Sequence, residues 1–66
     1  MADTPLQIAK FNVSEQRVRV MQQETRLAHM RRDGGPLFEH ATADLHVLRE
    51  ELERLEAALA VLVFQS

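Results

Sequence analysis

Three histidines have the spacing in this chain that most suggests metal or proton chemistry, because each is followed four residues later by a carboxylate. The pairs are His29–Asp33, His40–Asp44 and His46–Glu50. On a helix, residues four apart are neighbours on one face, so each pair could supply two metal ligands. A catalytic zinc needs three converging protein ligands, and no spacing here brings the pairs to one face. We therefore predict solvated surface pairs, with no metal, cofactor or catalytic site.

Nucleophilic catalysis has few candidate residues. The chain has no cysteine, Ser14 suits a helix cap, and Ser66 ends the sequence. Gly34 and Gly35 are followed by Pro36 and not by the Lys-Ser/Thr pair of a phosphate-binding loop. No nucleophile, base and orienting group can be assembled from these residues. We predict that the protein is not an enzyme and has no small-molecule substrate.

Basic residues are concentrated in the first half of the chain. Residues 4–33 carry six basic and three acidic side chains, a charge of +3, whereas residues 36–66 carry −4. The candidate nucleic-acid face consists of Arg17, Arg19, Arg26, Arg31 and Arg32. Glu15 and Glu24 interrupt this face and no aromatic residue is interleaved with it, so mutual pairing of the two halves is favoured.

The elements that position these side chains are predicted by two apolar ladders. The second half carries Phe38, Ala41, Leu45, Leu48, Leu52, Leu55, Leu59 and Leu62 at alternating steps of three and four. The first half continues the same steps through Leu6, Ala9, Val13, Gln16, Val20, Gln23, Leu27 and Met30. Only a helix places such residues on one stripe. Between the ladders lies a single breaker, Asp33-Gly34-Gly35-Pro36, in which Gly34 suits a left-handed helix end.

The ladders predict an all-α fold, an antiparallel two-helix coiled-coil hairpin that forms a single domain over residues 1–66. The expected elements are helix 1 over about 5–32, a turn at 33–36 and helix 2 over about 37–64. Thr4 and Gln7 predict a capping box at the start of helix 1. A second start signal at Ser14 leaves open a helix that begins near residue 15.

A turn centred near Gly34 pairs ladder residues whose numbers sum to 68, such as Gln16 with Leu52. The predicted hairpin seam is Val13, Val20, Leu27, Met30, Phe38, Leu45, Leu48, Leu52, Leu55, Leu59 and Leu62. Gln16 and Gln23 are poor residues for fully buried seam positions.

Charges at the edges of the seam favour this antiparallel register. The expected pairs are Arg26–Asp44, Arg19–Glu51 and Lys10–Glu56, with Arg17 and Arg49 close together and leaning on Glu56 and Glu24. The alternative is a parallel leucine-zipper homodimer of helix 2, which places Glu51 opposite Glu56 of the second chain. The hairpin satisfies the charges better.

Association is expected because a chain of 66 residues without cysteine buries too little apolar surface as an isolated hairpin. Helix 1 carries a second apolar stripe, Val18, Met21, Thr25 and Ala28, away from the seam. The predicted association surface is Ile8, Phe11, Val18, Met21, Ala57, Val61 and Phe64. We predict a non-enzymatic structural or regulatory protein that forms a homodimeric four-helix bundle.

Two alternatives keep the hairpin and change its partner. The stretch from Leu55 to Leu62, after a Gly-Gly turn, resembles the end of the small hairpin chaperones of type III secretion needles. That resemblance implies an escort or adaptor subunit that packs its apolar open end on a helical partner protein. A dimeric hairpin with a basic face is also similar in architecture to the Rop-type RNA-binding proteins.

The N-terminal stretch Met-Ala-Asp-Thr-Pro lacks the positive lead and apolar core of a signal peptide. The longest apolar run, Ala57 to Phe64, is eight residues long, whereas a membrane span needs about 20. We expect a cytoplasmic protein without a membrane span.

Overall fold

The computed structural model describes residues 4–31 and 35–65, which form two α-helices and no strand. Helix α1 spans Pro5–Met30 and helix α2 spans Pro36–Gln65, and the two pack against each other. The prediction of an all-helical chain with two packed helices is confirmed. α1 is continuous, so the alternative start at Ser14 is wrong.

Thr4 caps α1 through the capping box expected from the sequence. Its Oγ1 accepts a hydrogen bond from the backbone N–H of Gln7 at 3.2 Å, and the backbone N–H of Thr4 donates to Oε1 of Gln7 at 3.1 Å. Pro5 takes the first helical position, where a missing N–H costs nothing. The predicted capping box is therefore confirmed.

The Thr4→Ala variant should lose about 1 kcal/mol of unfolding free energy, because the backbone N–H of Gln7 loses its side-chain partner. Urea unfolding followed by circular dichroism measures this loss. Thr42→Ala is the matched control, since Oγ1 of Thr42 donates to the carbonyl of Phe38 inside α2 and caps nothing. That control should change stability by no more than about 0.5 kcal/mol. Equal losses in the two variants would contradict the capping role.

Gly35 starts α2. Its carbonyl accepts hydrogen bonds from the N–H groups of Phe38 at 3.1 Å and Glu39 at 3.3 Å. Its φ is +91°, a conformation that L-residues rarely adopt, and no neighbouring atom lies within 4 Å of the position that a Cβ would occupy. Backbone conformation, and not crowding, therefore favours glycine at this position. The left-handed conformation predicted for Gly34 falls outside the described residues, as do Arg32 and Asp33.

The two ladders form the interface between α1 and α2. All sixteen ladder positions are buried or half-buried, and the only other described residue that is not exposed is Glu51. The fully buried residues are Val13, Gln16, Val20, Ala41 and Leu45. The tightest packing is thus in the middle of α1 and the first half of α2, while the seam leucines from Leu48 onwards are half-buried.

The hairpin is a single layer of two helices, with extents of 47, 21 and 13 Å. A thickness of 13 Å corresponds to one helix, so no third element of the described chain covers either broad face. The faces of α1 and α2 opposite the seam therefore remain in solvent. Neither helix, over its described residues, has a stretch apolar enough to cross a membrane.

Candidate association surfaces

Two glutamines lie inside the apolar seam and hydrogen bond across it. Nε2 of Gln16, which is 2% exposed, donates to the carbonyl of Leu48 at 2.9 Å and to Oε2 of Glu51 at 3.3 Å. Nε2 of Gln23 donates to the carbonyl of Ala41 at 2.9 Å. No buried side-chain N or O atom in the described part of the chain lacks a partner. The glutamines that looked poorly suited to the seam are therefore satisfied there.

Both glutamine contacts agree with the register in which paired residue numbers sum to 68. The carbonyl of a helical residue points towards the residue four positions later. A glutamine opposite Leu52 therefore reaches the carbonyl of Leu48, and one opposite Leu45 reaches the carbonyl of Ala41. The same reach at two points seven residues apart indicates one constant register along the middle of the hairpin.

One edge of the seam carries two ion pairs. Nη2 of Arg17 lies 3.1 Å from Oε2 of Glu56, and Nη2 of Arg49 lies 3.8 Å from Oε1 of Glu24. The expectation that the two arginines lean on these carboxylates is confirmed. Exposed pairs of this kind contribute only about 0–1 kcal/mol each, so they select orientation more than they stabilise.

The other expected ion pairs do not form within 4.0 Å among the described residues. Glu56 is taken by Arg17 and not by Lys10. Glu51 accepts from Gln16, and its expected partner Arg19 lies outside ion-pair distance. The expected contact between Arg26 and Asp44 is also absent. A buried amide donor competes well for Glu51 because it is held in place by the seam.

The histidine pairs are on the surface. Nε2 of His46 lies 2.9 Å from Oε1 of Glu50, and both side chains are exposed. His40 and Asp44 form no ion pair in the described structure, and Asp33, the expected partner of His29, lies outside the described residues. The described residues hold no group of three or more metal-ligating side chains.

A shallow groove of about 350 Å³ follows the ion-paired edge near the turn. Leu27, Ala28, Phe38 and Leu45 form its apolar part. The one hydroxyl in its lining, that of Thr42, donates to the carbonyl of Phe38. This groove was not expected from a two-helix hairpin, and its lining contains no nucleophile–base pair.

The arginines of the candidate nucleic-acid face do not form one strip. Helical periodicity places Arg17 and Arg31 along the ion-paired edge of the seam and Arg19 and Arg26 along the opposite edge. Arg17 is already paired with Glu56, and Arg32 lies outside the described residues. The described basic charge is thus divided between two sides of the hairpin.

Large apolar side chains are exposed over both outer faces. Those about half exposed or more are Ile8, Phe11, Val18, Met21, Leu37, Val47, Val61, Val63 and Phe64. The predicted association residues of α1 and α2 point away from the shared seam and therefore lie on opposite sides of the hairpin. Phe11 and Phe64 accordingly do not form one patch at the open end. The exposure of Leu37 and Val47 was missed because neither residue belongs to one of the ladders read from the sequence.

α1 carries a second continuous ladder on its outer face. Its members are Phe11, Ser14, Val18, Met21, Thr25 and Ala28, all exposed. Val18, Met21, Thr25 and Ala28 were predicted from the sequence as a second stripe, whereas Phe11 was assigned to the open end and Ser14 to a helix cap. The signal that joins them is the alternation of three- and four-residue steps from Phe11 to Ala28, about 26 Å of helix. We call this surface the α1 outer ladder.

Comparison with known proteins adds no relative from which a function could be transferred. No protein family, curated protein or solved structure shows significant similarity to the chain. The functional assignment therefore depends on the geometry of the hairpin and its exposed surfaces.

Proposed function

We propose that this protein acts through protein–protein association, as a homodimer in which two hairpins form a four-helix bundle with a structural or regulatory role. The observation that carries the proposal is the imbalance of apolar burial. Four apolar residues of the described chain are fully buried, whereas nine large apolar side chains are about half exposed or more. Contiguous exposed apolar surface on a small protein usually marks an association site.

The energetics of the isolated hairpin support the same proposal. Fully burying one large aliphatic or aromatic side chain contributes about 1.5–3 kcal/mol. Small domains of this size rarely obtain more than about 3–5 kcal/mol from a single core. Covering even two or three of the exposed side chains in a dimer would therefore add a stabilisation comparable to that of the hairpin itself.

The test is the molar mass of the purified chain by sedimentation equilibrium, with helix content by circular dichroism on the same samples. The expected result is a highly helical species at twice the 7.6 kDa chain mass, whose helix content falls on dilution. A fully helical monomer across the whole micromolar range would contradict the proposal.

A second candidate is an escort or adaptor subunit that docks on a different protein. It is supported by the outer face of α2 near the open end, where Ala57, Val61 and Phe64 lie on one stripe and Phe64 is 92% exposed. A purified chain that is monomeric and poorly helical would favour this candidate, because a missing partner would then supply the core.

A further inference from the structure

We infer that the α1 outer ladder binds the same ladder of a second copy in antiparallel orientation about a two-fold axis. This inference rests on the proposed homodimer and names its interface. The axis passes between Val18 and Met21, so that paired ladder residues have numbers that sum to 39. The pairs across the interface are Phe11–Ala28, Ser14–Thr25 and Val18–Met21, each formed twice.

The side-chain volumes in these layers match. The largest ladder residue, Phe11, meets the smallest, Ala28, and the two medium-sized apolar residues Val18 and Met21 meet at the axis. Large residues facing small ones interdigitate well in helix interfaces. The hydroxyl of Thr25 already donates to the carbonyl of Met21 at 3.0 Å, so its burial would not leave that donor unpaired.

The centre of the ladder is concave. Val18, Met21, Gln22 and Thr25 line a shallow depression of about 310 Å³. The two-fold axis falls within this depression, so side chains of the second copy enter it at the point where the two copies meet. In the antiparallel register, Gln22 faces Gln22 of the second copy, a pair without charge repulsion.

One flank of the ladder carries a complementary charge pair in this orientation. Arg17 faces Glu24 of the second copy, and Glu15 faces His29 of the second copy, each pair again formed twice. In an antiparallel helix pair, each flank of one helix faces the same flank of the other helix. Lys10 and Arg31 also face each other, at the ends of the interface, where both are exposed to solvent.

The contact between Arg17 and Glu24 extends the ion pairs that the hairpin already holds. Arg17 is paired with Glu56 and Glu24 with Arg49 inside each chain. The dimer therefore forms two rows of alternating charge, in the order Glu56, Arg17, Glu24 of the second copy and Arg49 of the second copy. Networks of this kind select orientation better than isolated surface pairs.

The position of the outer ladder fixes the shape of the assembly. At 3.6 residues per turn, its centre lies about 150° around α1 from the hairpin seam. The four helices therefore form a flattened bundle in the order α2, α1, α1 of the second copy and α2 of the second copy. The outer faces of α2 remain in solvent in this arrangement.

A parallel pairing of the same ladders fits less well. It stacks Phe11 on Phe11 and Ala28 on Ala28, which overfills one layer and underfills another. It pairs Lys10 with Glu15 and Glu24 with His29, and it leaves Arg17 opposite Gln22. The antiparallel pairing is therefore favoured by side-chain volume, and it alone joins Arg17 to a carboxylate of the second copy.

Charge exchange tests the inference with two double variants. The first double variant combines Arg17→Glu with Glu56→Arg, and the second combines Glu24→Arg with Arg49→Glu. Each double variant reverses the charges of one ion pair inside the hairpin and so preserves that pair. Each variant alone places like charges at the contact between residues 17 and 24 and should weaken dimerisation about ten-fold or more. An equimolar mixture of the two restores opposite charges at both contacts and should dimerise as tightly as the wild type. Sedimentation equilibrium measures all three samples.

A second arm tests the apolar centre. Val18→Asp should shift the protein to monomer, because an aspartate at the axis has no partner there. Val47→Asp is the matched control, since Val18 and Val47 are 51% and 49% exposed and only Val18 belongs to the ladder. If Val18→Asp unfolds, the equimolar mixture of the two charge-exchange variants still tests the interface. The mixture should then show more dimer and more helix than either variant alone.

The outcomes separate this inference from the proposed function. A wild-type dimer that persists in Val18→Asp, or a mixture no tighter than its separate components, overturns the α1 interface and leaves homodimerisation standing. A dimer that is lost in Phe64→Ser and kept in Val18→Asp assigns the interface to α2 instead. A monomeric and fully helical wild-type chain overturns both.

Discussion

Replacing Leu45 by alanine should reduce the unfolding free energy by about 2–5 kcal/mol. Leu45 is 7% exposed in the seam, and Gln23 hydrogen bonds to the carbonyl of Ala41 one turn earlier. That hydrogen bond holds the two helices at their present separation, so the cavity left by the missing methyl groups cannot easily close. Because small domains obtain only about 3–5 kcal/mol from their cores, the variant should be partly or largely unfolded at 25 °C.

Urea unfolding of Leu45→Ala and Leu37→Ala, followed by circular dichroism at one protein concentration, provides the measurement and its control. Leu37 is also a leucine of α2 but is 72% exposed, so its replacement should change stability by about 0.5 kcal/mol or less. A fixed concentration is necessary because the stability of a dimer depends on concentration. A loss below about 1 kcal/mol for Leu45→Ala would place this side chain at an exposed edge of the hairpin.

Replacing Gln16 by glutamate should be at least as damaging, at about 3–5 kcal/mol near pH 7. The amide of Gln16 donates both to the carbonyl of Leu48 and to the carboxylate of Glu51. A glutamate has no donor when ionised, and its charge would lie buried beside two oxygen atoms that both carry negative charge. An uncompensated buried charge is among the few single changes with an effect this large.

Gln16→Leu separates the effect of charge from the loss of the hydrogen bonds. Leucine also lacks a donor, but it leaves no buried polar atom unpaired, because the carbonyl of Leu48 keeps its bond within α2 and Glu51 is only half-buried. The unfolding free energy of this variant should therefore lie within about 1 kcal/mol of the wild-type value or exceed it. If Gln16→Glu were no less stable than Gln16→Leu, Gln16 would not be buried against Glu51.

The architecture of the hairpin follows from local signals that act over a few residues. The capping box of Thr4 and Gln7 was predicted correctly, because backbone N–H groups at a helix end need partners within one turn. The ladder from Phe38 to Leu62 is periodic enough that its buried side is unambiguous. The register sum of 68 followed from the short turn, and the contacts of two glutamines agree with it.

The candidate association surface could be predicted only in part. The apolar residues outside the seam were identified from their periodicity, but their grouping at one open end depended on how the two helices face each other. Phe11 and Phe64 lie at the same end of the hairpin yet on opposite faces, because each is turned away from its own seam. Phe11 and Ser14 instead extend the stripe of Val18 along α1.

The sequence by itself determined two helices, the N-terminal cap of α1, the side of each helix that is buried and the register of their pairing. These features depend on hydrophobic period, turn length and neighbouring charges. Only the tertiary structure decided which donor reaches which acceptor. Glu51 accepts from buried Gln16 and not from Arg19, since a side chain held in a packed seam loses less entropy on bonding than a long exposed one. The tertiary structure also decided which exposed apolar residues share a face, because that depends on the direction in which the seam holds each helix.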